Sequence, residues 1–381
     1  TFCIFDDHLL YFYFTKYNSE QRFVSSSAIG LSYNLVYIFY LLFLSLKFGI
    51  NGLMIAAVVA VISQLLIQLP EIKKIGFEYK FTLDLKSEYV KKLLHLSIPV
   101  LIGVAINDLN VIVDKTLASS LISGSISALN YAYKLNNLIL GVFISAITTV
   151  VFPLLAKEFN NNNIVGMKKI MEYGVNLILL ITIPATVGLI VLAKPIVEVA
   201  FQRGEFDATA TIMTSQALIF YSISLVAMAI RLLVNRVYYS LQDTRTPMIN
   251  GFISVGLNIV LNLILVRFMA HSGLALATSI ATTIATILMF YDLERKIGSV
   301  GTVSYIKCGL KVGLASAIMG VVAYTVYHGL YDMLGVSKLY NLISLLVAVS
   351  LAVIVYVVSC YVFKIEEVRD IIEKIKRKLA K

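Results

Sequence analysis

The sequence predicts an all-α polytopic membrane protein with about ten complete transmembrane helices and a C-terminal amphipathic helix. Of its 381 residues, 59% are hydrophobic and only 14% are charged, and the mean hydropathy is +0.86. A soluble domain does not need so much apolar surface, whereas helices that cross lipid do. The 6 prolines and 21 glycines are too few for a long disordered linker.

Apolar runs of helical length follow one another along the chain. Each is near or above the roughly 20 residues that cross about 30 Å of hydrocarbon. They cover residues 26–46, 50–70, 95–121, 126–156, 170–192, 209–240, 247–268, 272–294, 304–329 and 339–363. Residues 9–15 are expected to be the end of a further helix, because the chain starts at Thr1 and its true N-terminus is expected to lie upstream.

The loops between these runs predict the orientation of the protein in the membrane. Loops on one side, together with residues 364–381, carry 22 Lys and Arg, and loops on the other side carry five. Because cytoplasmic loops are enriched in Lys and Arg, the first set and the C-terminus are predicted to be cytoplasmic. The net charge of +10 is thereby explained by topology, and no nucleic-acid partner is expected.

The segment 364–381 has its apolar residues on one helical stripe and charged residues on most other faces. The stripe consists of Ile365, Val368, Ile372, Ile375 and Leu379. Such a helix is predicted to lie on the cytoplasmic membrane surface, where anionic lipids attract its cations. A solvated terminal helix is the alternative.

The sequence shows no motif of an enzyme. Its three cysteines and four histidines are scattered without metal-ligand spacing, and no nucleophile–base pair or glycine-rich phosphate loop is present. We therefore expect a protein that binds or moves a ligand without catalysing a reaction.

The run Leu93–Leu121 is apolar enough to cross a membrane but carries polar and charged residues in its middle. Asn107, Asn110 and Asp114 share one helical face. A carboxylate in hydrocarbon costs at least about 2.5–3.5 kcal/mol, so such residues usually face a bundle interior or a water-filled cavity. A polar transport path is predicted, and a structural cluster that pairs helices is the alternative.

Cations within the spans outnumber the acids. The cations are Lys115, Lys134, Arg231, Arg236 and Lys311. Nearby span interiors hold only two acids, Asp108 and Asp114. A buried cation needs a partner, so the surplus favours an anionic ligand such as a phosphate. Arg236 is equally explained by a side chain that reaches the cytoplasmic interface.

Four oxygen-bearing side chains form a candidate cation site. They are Asp114, Asn258, Asn262 and Thr278. Carboxylate, amide and hydroxyl oxygens suit a hard monovalent cation. Hydrogen bonding between helices explains the same residues without an ion, and the spacing by itself favours that interpretation.

Several segments together resemble the MurJ/MviN family of lipid II flippases, in the multidrug/oligosaccharidyl-lipid/polysaccharide exporter superfamily. They are SGSISALNYAYKL, RGEFDATATIMTSQAL, RVYYSLQDTRTP, NIVLN and GLALATS, starting at Ser123, Arg203, Arg236, Asn258 and Gly273. The resemblance implies a two-lobe, fourteen-helix exporter fold, of which this chain would hold part of the fourth helix and helices five to fourteen. It divides the chain into the end of the first lobe (1–92), the second lobe (93–297), helices thirteen and fourteen (298–363) and the cytoplasmic tail (364–381).

The resemblance also implies site residues. Lys134 matches the position of an essential eighth-helix cation, usually Arg in the family, and Lys115 and Arg231 are expected to help it bind the substrate's pyrophosphate. Asp114, Asn258, Asn262 and Thr278 match a sodium site described between helices seven, eleven and twelve, with Asn262 in place of an acid found in some relatives. Coupling to sodium or protons is therefore expected, with no other cofactor.

The implied function is transport of lipid II, the undecaprenyl-pyrophosphate-linked disaccharide-pentapeptide, across the bacterial cytoplasmic membrane by alternating access. Membrane lipid and the cell-wall synthesis machinery are the other expected partners. The alternatives are a polysaccharide-lipid or multidrug exporter of the same superfamily and a non-transporting membrane scaffold for cell-wall synthesis.

Overall fold

All regular elements in the computed structural model are helices, and the model describes residues 23–74, 88–335, 337–365 and 367–369. The helices are α1 (Phe23–Phe39), α2 (Ser45–Lys74), α3 (Glu88–Ser119), α4 (Ser125–Ile139), α5 (Ser145–Asn160), α6 (Ile164–Val191), α7 (Ala193–Phe201), α8 (Ala208–Ile223), α9 (Leu225–Ser240), α10 (Arg245–Ile297), α11 (Thr302–Leu334) and α12 (Lys338–Val362). Two π-helical segments, Tyr40–Leu44 and Leu140–Ile144, join α1 to α2 and α4 to α5.

The chain forms two compact units, Thr1–Leu85 and Lys86–Lys381. The first contains α1 and α2, and the second contains α3 to α12. The boundary lies a few residues before the predicted end of the first lobe at residue 92. The finer predicted divisions, at residues 297 and 363, stay predictions.

The helices of the second unit place apolar side chains outward. On α11, Leu310, Leu314 and Val321 are 65%, 62% and 64% exposed, whereas Ser316 on the same helix and Ser344 on α12 are completely buried. Large apolar surfaces of this kind are unfavourable in water and match a lipid environment. The protein is therefore an integral membrane protein.

Seven helices in the described part of the chain are long and apolar enough to cross a membrane, and α8 and α9 together make an eighth span with a 47° bend. Two of these spans, Gly30–Ile67 and Arg245–Ile297, contain a residue with non-helical backbone, Gly49 and Ala270. At 1.5 Å per residue, the 53 residues of α10 would reach about 80 Å, far beyond one bilayer. Dividing both spans at these breaks yields the ten predicted crossings.

The two breaks have nearly the same conformation. Gly49 has φ 52° and ψ −145°, and Ala270 has φ 48° and ψ −131°. A glycine follows three residues later in each case. A Cβ on Gly52 would collide with an aromatic side chain, and a Cβ on Gly273 would collide with the backbone carbonyl of Leu265. Both turns therefore need glycine for close approach of the helices, but only the first has glycine at the positive φ.

Some predicted boundaries were wrong. The run 209–240 is bent at Ser224, and the run predicted to start at residue 95 begins at Glu88. Continuous apolar periodicity carries no signal for a bend, and the polar turn Glu88–Lys92 has a composition typical of a loop although it is helical.

The beginning of the C-terminal tail packs against the bundle. Ile365 and Val368 are buried in a cluster formed by α11, α12 and α6. Asn176 of α6 donates a 2.6 Å hydrogen bond to Glu367. The other residues of the predicted stripe, from Ile372 onward, lie outside the described residues, so surface binding of the tail stays a prediction.

Candidate functional site

A cavity of about 900 Å³ lies within the second unit. Its walls come from α3, α4, the π-helical segment Leu140–Ile144, α8, α9 and both halves of α10. The polar and aromatic residues in the wall are Asn110, Asp114, Lys115, Asn130, Tyr133, Asn137, Ser145, Tyr221, Arg231, Asn235, Tyr239, Thr244, Ser254, Asn258, Thr278 and Thr282. Membrane-spanning helices thus surround a chamber with polar groups and two cations on its wall.

The four predicted cation ligands come together at one side of this cavity. Asn262 donates a 2.6 Å hydrogen bond to Asp114 Oδ1 and a 2.8 Å hydrogen bond to Asn258 Oδ1. Asn258 in turn donates to the hydroxyl of Thr278 at 3.1 Å. Asp114, Asn258 and Thr278 line the cavity, and Asn262 is completely buried behind them.

The orientation of the Asn258 amide decides how this cluster is bonded. With its oxygen and nitrogen exchanged, the nitrogen donates to Asn110 Oδ1 at 2.8 Å and to Asp114 Oδ1 at 3.2 Å, and the oxygen accepts from Thr278 at 3.1 Å. Asn110 therefore belongs to the cluster, which places oxygens from α3 and both halves of α10 around Asp114.

The composition of the cluster fits a monovalent cation. Asp114 supplies one negative charge, and the amides and Thr278 supply neutral oxygens, all of them hard ligands. The oxygen of Asn262 is buried without a hydrogen-bond partner, so one acceptor in the cluster is left for a ligand. Hydrogen bonding between the amides is the competing use of the same atoms.

Arg231 stands on α9 with its guanidinium in the cavity wall. Its Nη1 donates to Ser254 Oγ of α10 at 3.3 Å, and a Cβ on Gly251 would lie 3.9 Å from Nη2. None of the ion pairs formed within the described residues involves Arg231. The side chain is thus held beside the α10 backbone while its charge stays available to an anion.

The two predicted lysines differ in position. Lys115 lines the cavity and is exposed. Lys134 is exposed but absent from the cavity wall, and its ammonium lies 5.5 Å from the centre of the Tyr131 ring. The structure therefore brings Lys115 and Arg231 to the same chamber and places Lys134 beside it, so a role of Lys134 in substrate binding stays a prediction.

Sequence reasoning missed part of the wall. Asn130, Tyr133 and Asn137 of α4 face the cavity, as do Asn235 and Tyr239 of α9. The spacing of the first three, at i, i+3 and i+7, was a usable signal of a polar helical face. It was obscured by Lys134, the charged neighbour on the same helix.

The loop between α9 and α10 forms one end of the cavity through Thr244 and Pro247. Asp243 Oδ1 accepts from the backbone N–H groups of Arg245 and Thr246 at 3.0 Å each, and its Oδ2 accepts from Lys296 at 2.7 Å. Partial burial works to raise the pKa of Asp243, but these hydrogen bonds outweigh it and hold the pKa below its usual value. The carboxylate thereby caps α10 and ties its two ends together.

Comparison with known proteins supplies the family. The sequence model of the family described as "Lipid II flippase MurJ" matches residues 8–362. The chain belongs to this family. Probable lipid II flippases MurJ of Vibrio cholerae and Haemophilus influenzae are each 35% identical to it, over 73% and 61% of this chain and 53% and 46% of theirs. The chain thus spans about half the length of these MurJ relatives.

Solved structures agree with the MurJ assignment. A lipid II flippase MurJ in an inward closed conformation matches with a TM-score of 0.71 and 28% identity, over 97% of this chain and 73% of that one. The Vibrio cholerae MATE transporter VcmN in its bent form matches with a TM-score of 0.61 at 16% identity, over 77% of this chain and 67% of that one. The second match shows a shared exporter fold. The predicted family and fold class are confirmed.

Proposed function

We propose that this chain binds lipid II through the cavity of its second unit and moves the headgroup across the membrane. The observation that carries the proposal is Arg231, a cation in the wall of a chamber between membrane-spanning helices, which forms no ion pair with the described acids. Lys115 adds a second positive charge to the same wall. A pyrophosphate supplies the anionic oxygens that a guanidinium binds by charge-assisted hydrogen bonds.

The mechanism follows from the two surfaces of the bundle. The polyprenyl tail stays in the bilayer against the apolar outer faces of the helices, while the hydrated headgroup occupies the polar cavity. The helices alternate between openings to the two sides of the membrane, and no covalent bond is made or broken. Breaks at Gly49 and Ala270 and the bend at Ser224 are the points at which such movement needs little helical rearrangement.

We further propose that a monovalent cation, sodium or a proton, resets the carrier by binding at Asp114. The cluster joins α3 to both halves of α10, so a change in its charge alters the contact between these helices. Movement of one charge through the membrane potential supplies about 2.3 kcal/mol per 100 mV. Sodium that raises the thermal stability of the wild type but not of Asn262→Leu supports a sodium site; equal effects on both proteins count against it.

The protein is proposed to reside in the bacterial cytoplasmic membrane with its C-terminus in the cytoplasm, as the loop charges predict. Lipid II and the surrounding membrane lipid are the proposed partners, and a contact with the cell-wall synthesis machinery is an expectation that follows from the substrate.

The test compares two arginines of α9 in proteoliposomes that contain the purified chain and fluorescent lipid II. Arg231 lines the cavity, whereas Arg236 is exposed and lies 5.7 Å from the centre of the Phe152 ring. Arg231→Gln is expected to lower lipid II binding and flipping at least about tenfold, because a charge-assisted hydrogen bond is lost. Arg236→Gln is the matched control and is expected to keep both. Equal activity of the two variants contradicts the proposal.

A further inference from the structure

Three asparagines on two facing walls of the cavity have unused side-chain amides. Asn130 and Asn137 lie on α4, and Asn235 lies on α9. Each lines the cavity and is exposed or half-buried. None of the three amides has a hydrogen-bond partner elsewhere in the described chain. Each amide therefore presents both a donor and an acceptor to the chamber.

Other asparagines of the second unit are bonded to neighbouring side chains. Asn250 donates to Asp292 at 2.9 Å, and Asn341 accepts from Tyr327 at 2.8 Å. Both are buried between helices, where they hold the bundle together. The cavity asparagines contribute no such contact, so helix packing does not account for them.

An aromatic ring lies between the two asparagines of α4. Tyr133 is 42% exposed and packs edge-on against Tyr221, with ring centres 5.7 Å apart. It shares the helical face of Asn130 and Asn137, since the three are spaced by three and four residues. One edge of the Tyr133 ring is held by Tyr221, and its exposed part faces the chamber.

Neutral hydrogen-bonding groups around an exposed ring match a sugar. Hydroxyl and N-acetyl groups need partners that both donate and accept, which an amide provides and a charged side chain does not. The apolar C–H face of a pyranose packs on an aromatic ring. Few charges are needed, and within this patch Asn130, Tyr133, Asn137 and Asn235 carry none.

The position of the patch agrees with the covalent order of a glycosylated pyrophosphate. Asn235 follows Arg231 by one helical turn on α9, so their side chains are neighbours on one face. In such a lipid the first sugar is attached directly to the pyrophosphate. A group held at Arg231 therefore places the sugar beside Asn235, with the α4 wall beyond it.

We propose that Asn130, Tyr133, Asn137 and Asn235 form a saccharide subsite that binds the sugar next to the pyrophosphate. This inference rests on the proposed function and adds the part of the headgroup that the cavity recognises. The subsite distinguishes a glycosylated polyprenyl pyrophosphate from the bare carrier lipid, so that the bare carrier competes poorly for transport.

The test measures binding of three lipids to the purified 381-residue chain in detergent. They are undecaprenyl pyrophosphate, the same lipid with a disaccharide, and the disaccharide-pentapeptide lipid. The wild type is expected to bind the disaccharide lipid about tenfold more tightly than undecaprenyl pyrophosphate. The double variant Asn130→Leu/Asn235→Leu is expected to lose that gain and to bind both lipids alike, the loss expected for two neutral hydrogen bonds.

Asn160→Leu is the matched control, because Asn160 is exposed at the end of α5 and does not line the cavity. It is expected to keep the full gain. If the double variant does not fold, Tyr133→Leu and Tyr133→Phe give the same comparison, with the gain lost in the first and kept in the second.

Three results overturn the subsite. Equal binding of the bare and disaccharide lipids by the wild type removes the need for it, and an undiminished gain in the double variant places it elsewhere. A gain that appears only with the pentapeptide assigns the patch to the peptide instead. Failure of the wild type to bind any of the three lipids has a different meaning, because it overturns the proposed function and the subsite with it.

Discussion

Replacing Ala270 by glycine is expected to stabilise the protein. Ala270 occupies the break inside α10 with φ 48° and ψ −131°, a region that side chains with a Cβ rarely adopt. The corresponding break in the first unit, with φ 52° and ψ −145°, has Gly49. The same turn thus occurs once with the suitable residue and once without it.

The size of the effect follows from two opposing terms. Relief of backbone strain is worth about 1–3 kcal/mol. Greater flexibility of glycine in the unfolded chain costs roughly 0.5–1 kcal/mol. Ala270→Gly is therefore expected to stabilise by about 1 kcal/mol. Gly49→Ala combines the same terms with opposite sign, and open space around Gly49 leaves strain as the main cost, so it is expected to destabilise by about 1 kcal/mol.

Thermal unfolding in detergent, followed with a thiol-reactive dye, measures both changes. Cys308 and Cys360 are buried and react only once the bundle opens. Each kcal/mol is expected to shift the midpoint by roughly 2–4 °C. A lower midpoint for Ala270→Gly, or no change in either variant, would show that the break is not strained and would refute the reasoning.

Three further changes probe the second unit by the same unfolding measurement. Asp243→Asn removes the ion pair with Lys296; since the pKa of Asp243 is lowered on folding, its contribution is present above the usual carboxyl pKa and lost as the pH falls through the folded pKa. The midpoints of the two proteins should therefore differ at neutral pH and converge in acid, and a constant difference would contradict this. Gly273→Ala pushes a Cβ into the carbonyl of Leu265 and should destabilise by about 1–3 kcal/mol, with an unchanged midpoint as the contrary result. Tyr238→Phe leaves a buried backbone carbonyl without its 2.9 Å hydrogen bond and should cost about 1–2 kcal/mol, unless that carbonyl is otherwise satisfied.

Much of the fold could be predicted from local sequence. Apolar runs near 20 residues long indicated ten crossings, because a lipid span needs only length and apolarity. The bend at Ser224 and the early start of α3 at Glu88 were missed. Both depend on how neighbouring helices pack, and the run of apolar residues looks the same with or without them.

The candidate site was predicted in part. Asp114, Asn258, Asn262 and Thr278 were grouped because polar residues within apolar spans are expensive and tend to meet, and they do share hydrogen bonds. Lys134 attracted attention through its charge, yet the cavity wall is formed by its uncharged neighbours on α4. Which face of a helix turns inward is set by its packing partners, and a charge one residue away from that face gives no information about it.

By itself, the sequence determined that the chain crosses the membrane, how many times, and which family it resembles, since these follow from the cost of polar groups in lipid and from local segments. Only the tertiary structure decided that Arg231 and Asn235 share a chamber with Asn130, Tyr133 and Asn137 of another helix. About a hundred residues of chain separate those helices, and their rotation and approach depend on buried contacts that no local pattern specifies.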